Sequence, residues 1–252
     1  GFLIINADDF GLSTSVNRAI LASLQASLCS STTIMANQPA YLDACQLAHD
    51  HKLLDRVGVH LVLTEGAPLT EAIKRLPRFC DPEAQFCLSR KKRVFRMSAS
   101  ERDAVAAELS AQITRCRAAG LPITHVDSHN HSHEEFAILS IVIALAHRER
   151  IRFCRLSKNC GSGIDLPGRL YRHVVNASIR HAGLAGTQFF GWAGDVAELM
   201  RKRGGHCSAE VMVHPAFDEH GCLHDSFQRV GLQDLVSQIP GYRDAISYGA
   251  LP

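Results

Sequence analysis

The segment His125-Val126-Asp127-Ser128-His129-Asn130-His131-Ser132-His133 packs four of the chain's fourteen histidines into nine residues. With Asp127, these histidines occupy every second position. An extended backbone would place all five side chains on one face of a strand. A helix beginning after His129 would instead put His129 and His133 one turn apart on one face. Either geometry converges imidazole nitrogens on a point, with a carboxylate nearby, and such a donor set suits a divalent metal ion. The competing reading is a surface histidine cluster.

Three other places carry groups of the same kind. Asp8 and Asp9 are adjacent, so on a strand they cannot point the same way. At a strand end two roles open, one carboxylate binding metal and the other staying free as a base. Alternatively, Asp9 caps the helix that follows Gly11. His60 interrupts the apolar run 57–63 and, taken alone, reads as a hydrogen-bonded core histidine. His214 precedes Pro215 and shares strand parity with Glu210 and Met212. It is either an acid or base at the mouth of a barrel or a strand-end histidine holding a loop. Glu210 could orient a partner by hydrogen bonding.

The elements that must position these groups follow from periodicity. Residues 2–7 read as a buried strand, ended by the turn-forming Gly11 and Ser13. Val16, Ile20, Leu24 and Leu28 form a helical stripe, capped by Ser13 or Ser15. Strand 31–36, a helix from Pro39 to His51 and strand 57–63 follow. A long helix over 100–119 has Glu101 and Asp103 in its first turn, Arg115 and Arg117 in its last, and Gly120 as its stop. Strand 122–127 leads into the histidine segment, and an apolar helix over 134–147 leaves it. Further strands are expected at 151–156, 187–192 and 207–213, with helices at 169–181, 196–203 and 227–237. Alternation of this kind argues for parallel strands with helical crossovers. The C-terminal ends of such strands share one rim, where Asp8, Asp9, His60, His129 and His214 would meet.

The rhythm breaks over 64–98, where Pro68, Pro77 and Pro82 interrupt it and Arg90-Lys91-Lys92-Arg93 adds a basic run. We read an inserted excursion over the catalytic end, a candidate lid. The basic run is either a solvated face or a contact for an anionic substrate group. The length of 252 residues fits a single domain spanning 1–252. Apolar content of 46% and charged content of 21% are ordinary for a globular chain. A net charge of +2 gives no electrostatic reason to expect nucleic acid as a partner. No apolar run reaches the roughly eighteen residues a membrane span needs, and Phe2 to Ile5 is too short for a signal peptide. The chain opens without an initiator Met, as a processed or shortened chain would. Nine scattered cysteines with no C-x-x-C pair point to reduced thiols and a cytoplasmic setting.

Four stretches together resemble a known family. Asn6-Ala7-Asp8-Asp9-Phe10-Gly11-Leu12-Ser13, Gly58-Val59-His60-Leu61, Thr124-His125-Val126-Asp127-Ser128-His129 and Glu210-Val211-Met212-Val213-His214-Pro215 look like the signatures of the YdjC-like carbohydrate deacetylases. They run in order over nearly the whole chain. The resemblance implies an α/β fold, a deformed parallel (β/α) barrel similar to that of the polysaccharide deacetylases. It also implies hydrolysis of the acetyl group from an N-acetylated amino sugar with a divalent metal ion. Asp8 would be the proton acceptor, Asp9, His60 and His129 the metal ligands, and His214 the general acid. Asn130 departs from the pattern, since members often carry a third consecutive histidine there. Two histidines and a carboxylate would suit zinc or iron(II), whereas the family implies magnesium. His125 and Asp127 become supporting groups, and His131 and His133 line the cleft or help to hold the ion.

Two other readings compete. Clustered histidines and aspartates also serve two-metal amidohydrolases and phosphoesterases. A catalytically silent sugar-binding protein is the other, although Trp192 is the only tryptophan available as a platform. The acetylated sugar is left open among a chitin oligosaccharide, a lipid-linked glucosamine and others. So is the oligomeric state, a homodimer among the options.

Overall fold

The computed structural model describes residues 1–88, 93–161, 163 and 165–251. Seven parallel strands form one sheet: β1 (Leu3–Phe10), β2 (Ser31–Ile34), β3 (Val57–Leu61), β4 (His125–Ser128), β5 (Phe153–Cys154), β6 (Phe189–Gly191) and β7 (Ala209–Val213). Their spatial order is β5-β4-β3-β2-β1-β7-β6. The sheet curls into a half-barrel whose two edges approach through an isolated parallel bridge, Phe153 to Ala185, and through Asn159, whose backbone amide donates to the Phe190 carbonyl at 3.1 Å and whose side-chain oxygen accepts from the Phe190 amide at 2.9 Å. The expected deformed α/β barrel is the observed architecture.

Helices supply the crossovers: α1 (Thr14–Gln25), α2 (Tyr41–Asp50), α3 (Glu71–Lys74), α4 (Ala99–Ala118), α5 (Phe136–Arg148), α6 (Leu166–His181) and α7 (Ala193–Lys202). Their ends follow local chemistry. Ser13 caps α1 by accepting from the Val16 amide, so Asp9 is not the cap. Ser98 and Glu101 form a reciprocal capping box on α4. Buried Ile20 and Leu24 of α1 and Ile138, Ile141, Val142 and Leu145 of α5 pack on the sheet in one continuous core. Burying a side chain of this size contributes roughly 1.5–3 kcal/mol.

Two polar side chains on the buried face of α4 hold the beginning of the excursion. Gln112 clamps the Val62 backbone, accepting from its amide and donating to its carbonyl, both at 2.8 Å. Glu108 accepts the amides of Leu69 and Thr70 at 3.0 and 2.8 Å. Ile73, Phe79, Phe86, Leu88 and Val94 are buried in the main core, so much of the 64–98 segment is anchored. Most of the basic run lies outside the described residues; Arg93 is described and pairs with Glu135 at 2.8 Å.

The expected helix over 227–237 is partly wrong. A small antiparallel sheet forms from β8 (Pro215–Phe217), β9 (Leu223–Asp225) and β10 (Val230–Gly231), and only α8 (Leu232–Ser237) is helical. The cause is Asp225, whose buried carboxylate accepts the amides of His214, Phe227 and Gln228 and turns the chain back on itself. The C-terminal tail also matters more than its sequence suggests. Tyr248 is fully buried below the sheet, stacks on His125 at 3.9 Å and donates to Glu210 at 2.6 Å.

Candidate metal centre and active site

Asp8 and Asp9 sit inside β1, not after it. Regular alternation would send them to opposite faces. Asp9 instead adopts φ 72°, and the register against β2 shifts between Ala7 and Phe10. A left-handed non-glycine residue costs on the order of 1 kcal/mol. The bulge turns both carboxylates toward the barrel mouth, which a regular strand could not do.

Asp9 Oδ1 lies 3.3 Å from His60 Nε2 and 2.9 Å from His129 Nδ1. Among the described residues this trio is one of two groups of three donors able to hold a metal ion, with all ligand atoms within 4.8 Å of one another. All three residues are buried. Burial would raise the Asp9 pKa, but hydrogen bonds from His129 and His60 hold it well below the usual carboxylate range. Burial would lower that of His60, but the charge and hydrogen bond of Asp127, with help from Asp9 and Asp8, push it up to about 10. Both shifts have one origin, carboxylates closing on the imidazole rings in a buried space, which favours positive charge at this point.

Behind the trio lies a buried charge network centred on Arg155, which the sequence reading passed over. Its guanidinium grips both oxygens of Asp8 at 2.6 and 2.7 Å, reaches Asp127 Oδ2 at 2.6 Å and donates through Nε to Glu210 at 2.7 Å. Arg155 is fully buried and lies over the Phe190 ring at 5.0 Å. One signal was available: the expected strand 151–156 carries two arginines, Arg152 and Arg155, the second near its C-terminal, rim-side end. Asp127 in turn bonds His60 Nδ1 at 2.6 Å, the carboxylate–histidine arrangement that fixes a ring for metal binding.

His214 follows β7 and hangs over Asp8, its Nε2 3.9 Å from Asp8 Oδ2. Its ring packs against Phe227 at 4.2 Å and lies 6.2 Å from Trp192. Asp8, His60, His129, His131, Trp192 and His214 are among the residues lining a cleft of about 130 Å³. Beside it is a larger cavity of about 270 Å³, lined by Thr64, Arg93, Glu134, Lys158 and Arg172 and sharing Asn130, His131, Trp192 and Met212 with the first.

The histidine segment itself obeys neither expected geometry in full. His125, Asp127 and His129 alternate on and just past β4, but Asn130 and His131 are left-handed and break the alternation. His125 lies at the closed end of the sheet against Tyr248, and burial pushes its pKa down to about 3. His133 turns inward, its Nδ1 2.6 Å from Ser128 Oγ, and burial brings its pKa down to about 4. His131 lines both cavities. Glu65, Glu134 and Asp225 are other polar groups near the rim that the sequence reading missed; Glu65 and Asp225 lie outside any expected element, and Glu134 only marked the start of an expected helix.

The model of the YdjC-like protein family matches residues 2–240. The chain belongs to the YdjC-like family. Relatives of this YdjC-like chain named carbohydrate deacetylase include one from Halalkalibacterium halodurans, 32% identical over 92% of this chain and 93% of the relative. Another from Geobacillus stearothermophilus is 36% identical over 86% and 80%, and one from Vibrio parahaemolyticus 34% identical over 94% and 88%. A crystal structure from Enterococcus faecalis, described as a candidate cellobiose-phosphate cleavage protein, shares the fold. It superposes with a TM-score of 0.69 over 98% of this chain and 97% of that one, at 21% identity. No helix among the described residues is long and apolar enough to cross a membrane, and all nine cysteines are free, seven of them buried.

Proposed function

We propose that this YdjC-like chain is a carbohydrate N-deacetylase, a hydrolase that removes the acetyl group from an N-acetylated amino sugar with the help of a divalent metal ion. The observation that carries the reading is the convergence of His60 Nε2 and His129 Nδ1 on one oxygen of Asp9, beside a cleft that His60, His129 and Asp8 line. Two ring nitrogens and a carboxylate oxygen facing one another are a donor set that fits zinc or iron(II), and magnesium is the family's implied occupant. Asp9, His60 and His129 would hold the ion. Bound there, it would polarise the acetyl carbonyl and lower the pKa of water.

The chain's own groups divide the proton transfers. Asp8 is the base that accepts the proton of the attacking water. Arg155 holds both of its oxygens and Asn6 donates to Oδ1 at 2.8 Å, yet a carboxylate has about four acceptor sites, and the free one is on Oδ2, the oxygen that faces His214. His214 gives a proton to the departing amine nitrogen. Its position between Trp192 and Phe227, with its backbone amide bonded to Asp225, keeps the ring over the cleft. Positioned acid and base groups each contribute roughly 10²- to 10⁴-fold.

A two-metal reading has a second donor group, Asp8, His60 and Asp127, in its favour. Arg155 Nη1 already lies 2.6 Å from both Asp8 and Asp127, so a guanidinium takes the place of a second cation. One bound ion per chain is the expected stoichiometry.

The test is acetate release from a panel of N-acetylated sugars with magnesium and zinc compared. Asp8→Asn should abolish turnover while one ion per chain remains bound. Turnover by that variant at the wild-type rate would remove Asp8 as the base. Tight binding of an acetylated sugar with no acetate released under any metal would leave a binding protein instead.

A further inference from the structure

Glu65 stands directly after the excursion's first residue, and its Oε2 lies 3.0 Å from His129 Nε2. That nitrogen is the one facing away from Asp9. His60 has the same arrangement, with Nε2 toward Asp9 and Nδ1 on Asp127. Both histidines are therefore backed by a carboxylate on the ring nitrogen that does not face the trio. Asp127 is fully buried, whereas the Glu65 side chain is 49% exposed.

An exposed ion pair is ordinarily worth little, because two long side chains lose freedom to form it. The backbone around Glu65 removes much of that cost. Its carbonyl accepts from Asn37 Nδ2 at 3.0 Å and from Gln38 Nε2 at 3.1 Å. Thr64 Oγ1 accepts from Asn130 Nδ2 at 3.1 Å, tying the loop to the turn that carries His129. Gly66 has φ 75°, which favours glycine, and a Cβ there would push on the Gln38 amide, 2.6 Å away, that holds the Glu65 carbonyl. Its carbonyl is anchored by the Phe86 amide at 2.8 Å. Three segments thus hold residues 64–66 in a fixed bend.

We infer that Glu65 is a positioning residue for His129. Its carboxylate lies against Nε2 and so favours the proton on that nitrogen, which leaves the Nδ1 lone pair directed at the point shared with Asp9 and His60. The inference rests on the proposed metal site and assigns to the excursion a part in building it. Glu65 touches neither the reacting atoms nor the cleft floor; it acts through the imidazole. Carboxylate partners of this kind are worth roughly 10- to 100-fold in metal affinity.

Zinc affinity measured by chelator competition on the purified full chain tests this. Glu65→Ala should weaken zinc binding by about 10- to 100-fold, while Glu65→Gln, whose carbonyl oxygen can still accept the proton, should stay within about threefold of wild type. Glu71→Ala removes an equally acidic but exposed residue of the same segment and should leave the affinity unchanged. The unfolding temperature of each metal-free variant should match wild type, which separates positioning from folding. Wild-type zinc affinity in Glu65→Ala, or equal losses in the Ala and Gln variants, would overturn the inference. If His60→Ala abolishes zinc binding while Glu65→Ala does not alter it, the metal site stands and only the role of Glu65 falls. If the wild-type chain binds no zinc, both fall together.

Discussion

Replacing Arg155 with Met keeps most of the side-chain volume and removes the guanidinium at the centre of the network. Asp8, Asp127 and Glu210 would then face one another in a buried space with no guanidinium between them. Breaking a buried ion pair by removing one partner costs about 3–5 kcal/mol, and three carboxylates lose their partner here, so about 4 kcal/mol is a low expectation. Part of the loss is recoverable by protonation. Without Arg155 the folded-state pKa of at least one carboxylate rises above its unfolded value, so the folded variant binds an extra proton. Stability from a raised pKa is present at low pH and lost as pH rises through the folded value. The deficit of Arg155→Met should therefore grow by up to about 1.4 kcal/mol per pH unit across the window for each such proton. Urea unfolding of metal-free wild type and variant at pH 5.5 and 8 measures it. A deficit below about 1 kcal/mol, or the same deficit at both pH values, would show that the network does not depend on this charge.

Glu134 gives a second pH dependence. Burial, only partly offset by the Ser157 hydroxyl, raises its pKa to about 7, so its share of stability is complete below about 4.5 and disappears as pH climbs through 7. Over that window the wild type should lose about 3 kcal/mol relative to Glu134→Gln, read by urea unfolding at pH 4.5 and 8; parallel curves would count against it. His214→Ala should lower kcat by roughly 10²- to 10⁴-fold with zinc affinity unchanged, because His214 lies outside the Asp9–His60–His129 trio. A loss of zinc in that variant would move His214 from proton donor to ligand.

Much of the site could be read from residue types. Strand-end position was enough to group Asp8, Asp9, His60, His129 and His214, because parallel strands with helical crossovers bring their C-terminal ends to one rim. The structure places all five there. Harder to read was the geometry within each segment. Asp9 joins Asp8 on one side only because its backbone turns left-handed, a conformation that Asp tolerates better than most residues but that its presence does not by itself announce. The histidine alternation stops at Asn130 for the same kind of reason. The region 227–231 became a turn and the short strand β10 because Asp225 captured three backbone amides, a tertiary choice that outweighs helix periodicity.

Composition and periodicity alone decided that this chain forms parallel strands and buried helices, since the burial of apolar faces depends only on the spacing of apolar residues. They also decided which residues could supply metal donors, because ligand chemistry belongs to the side chain. Which donors share a point, and which charge stands behind them, was settled only by tertiary structure. Arg155 reaches Asp8 across 147 residues, and Glu65 meets His129 from a segment with no pattern of its own. Electrostatic pairing acts through distances in space, and those distances exist only once the sheet has curled.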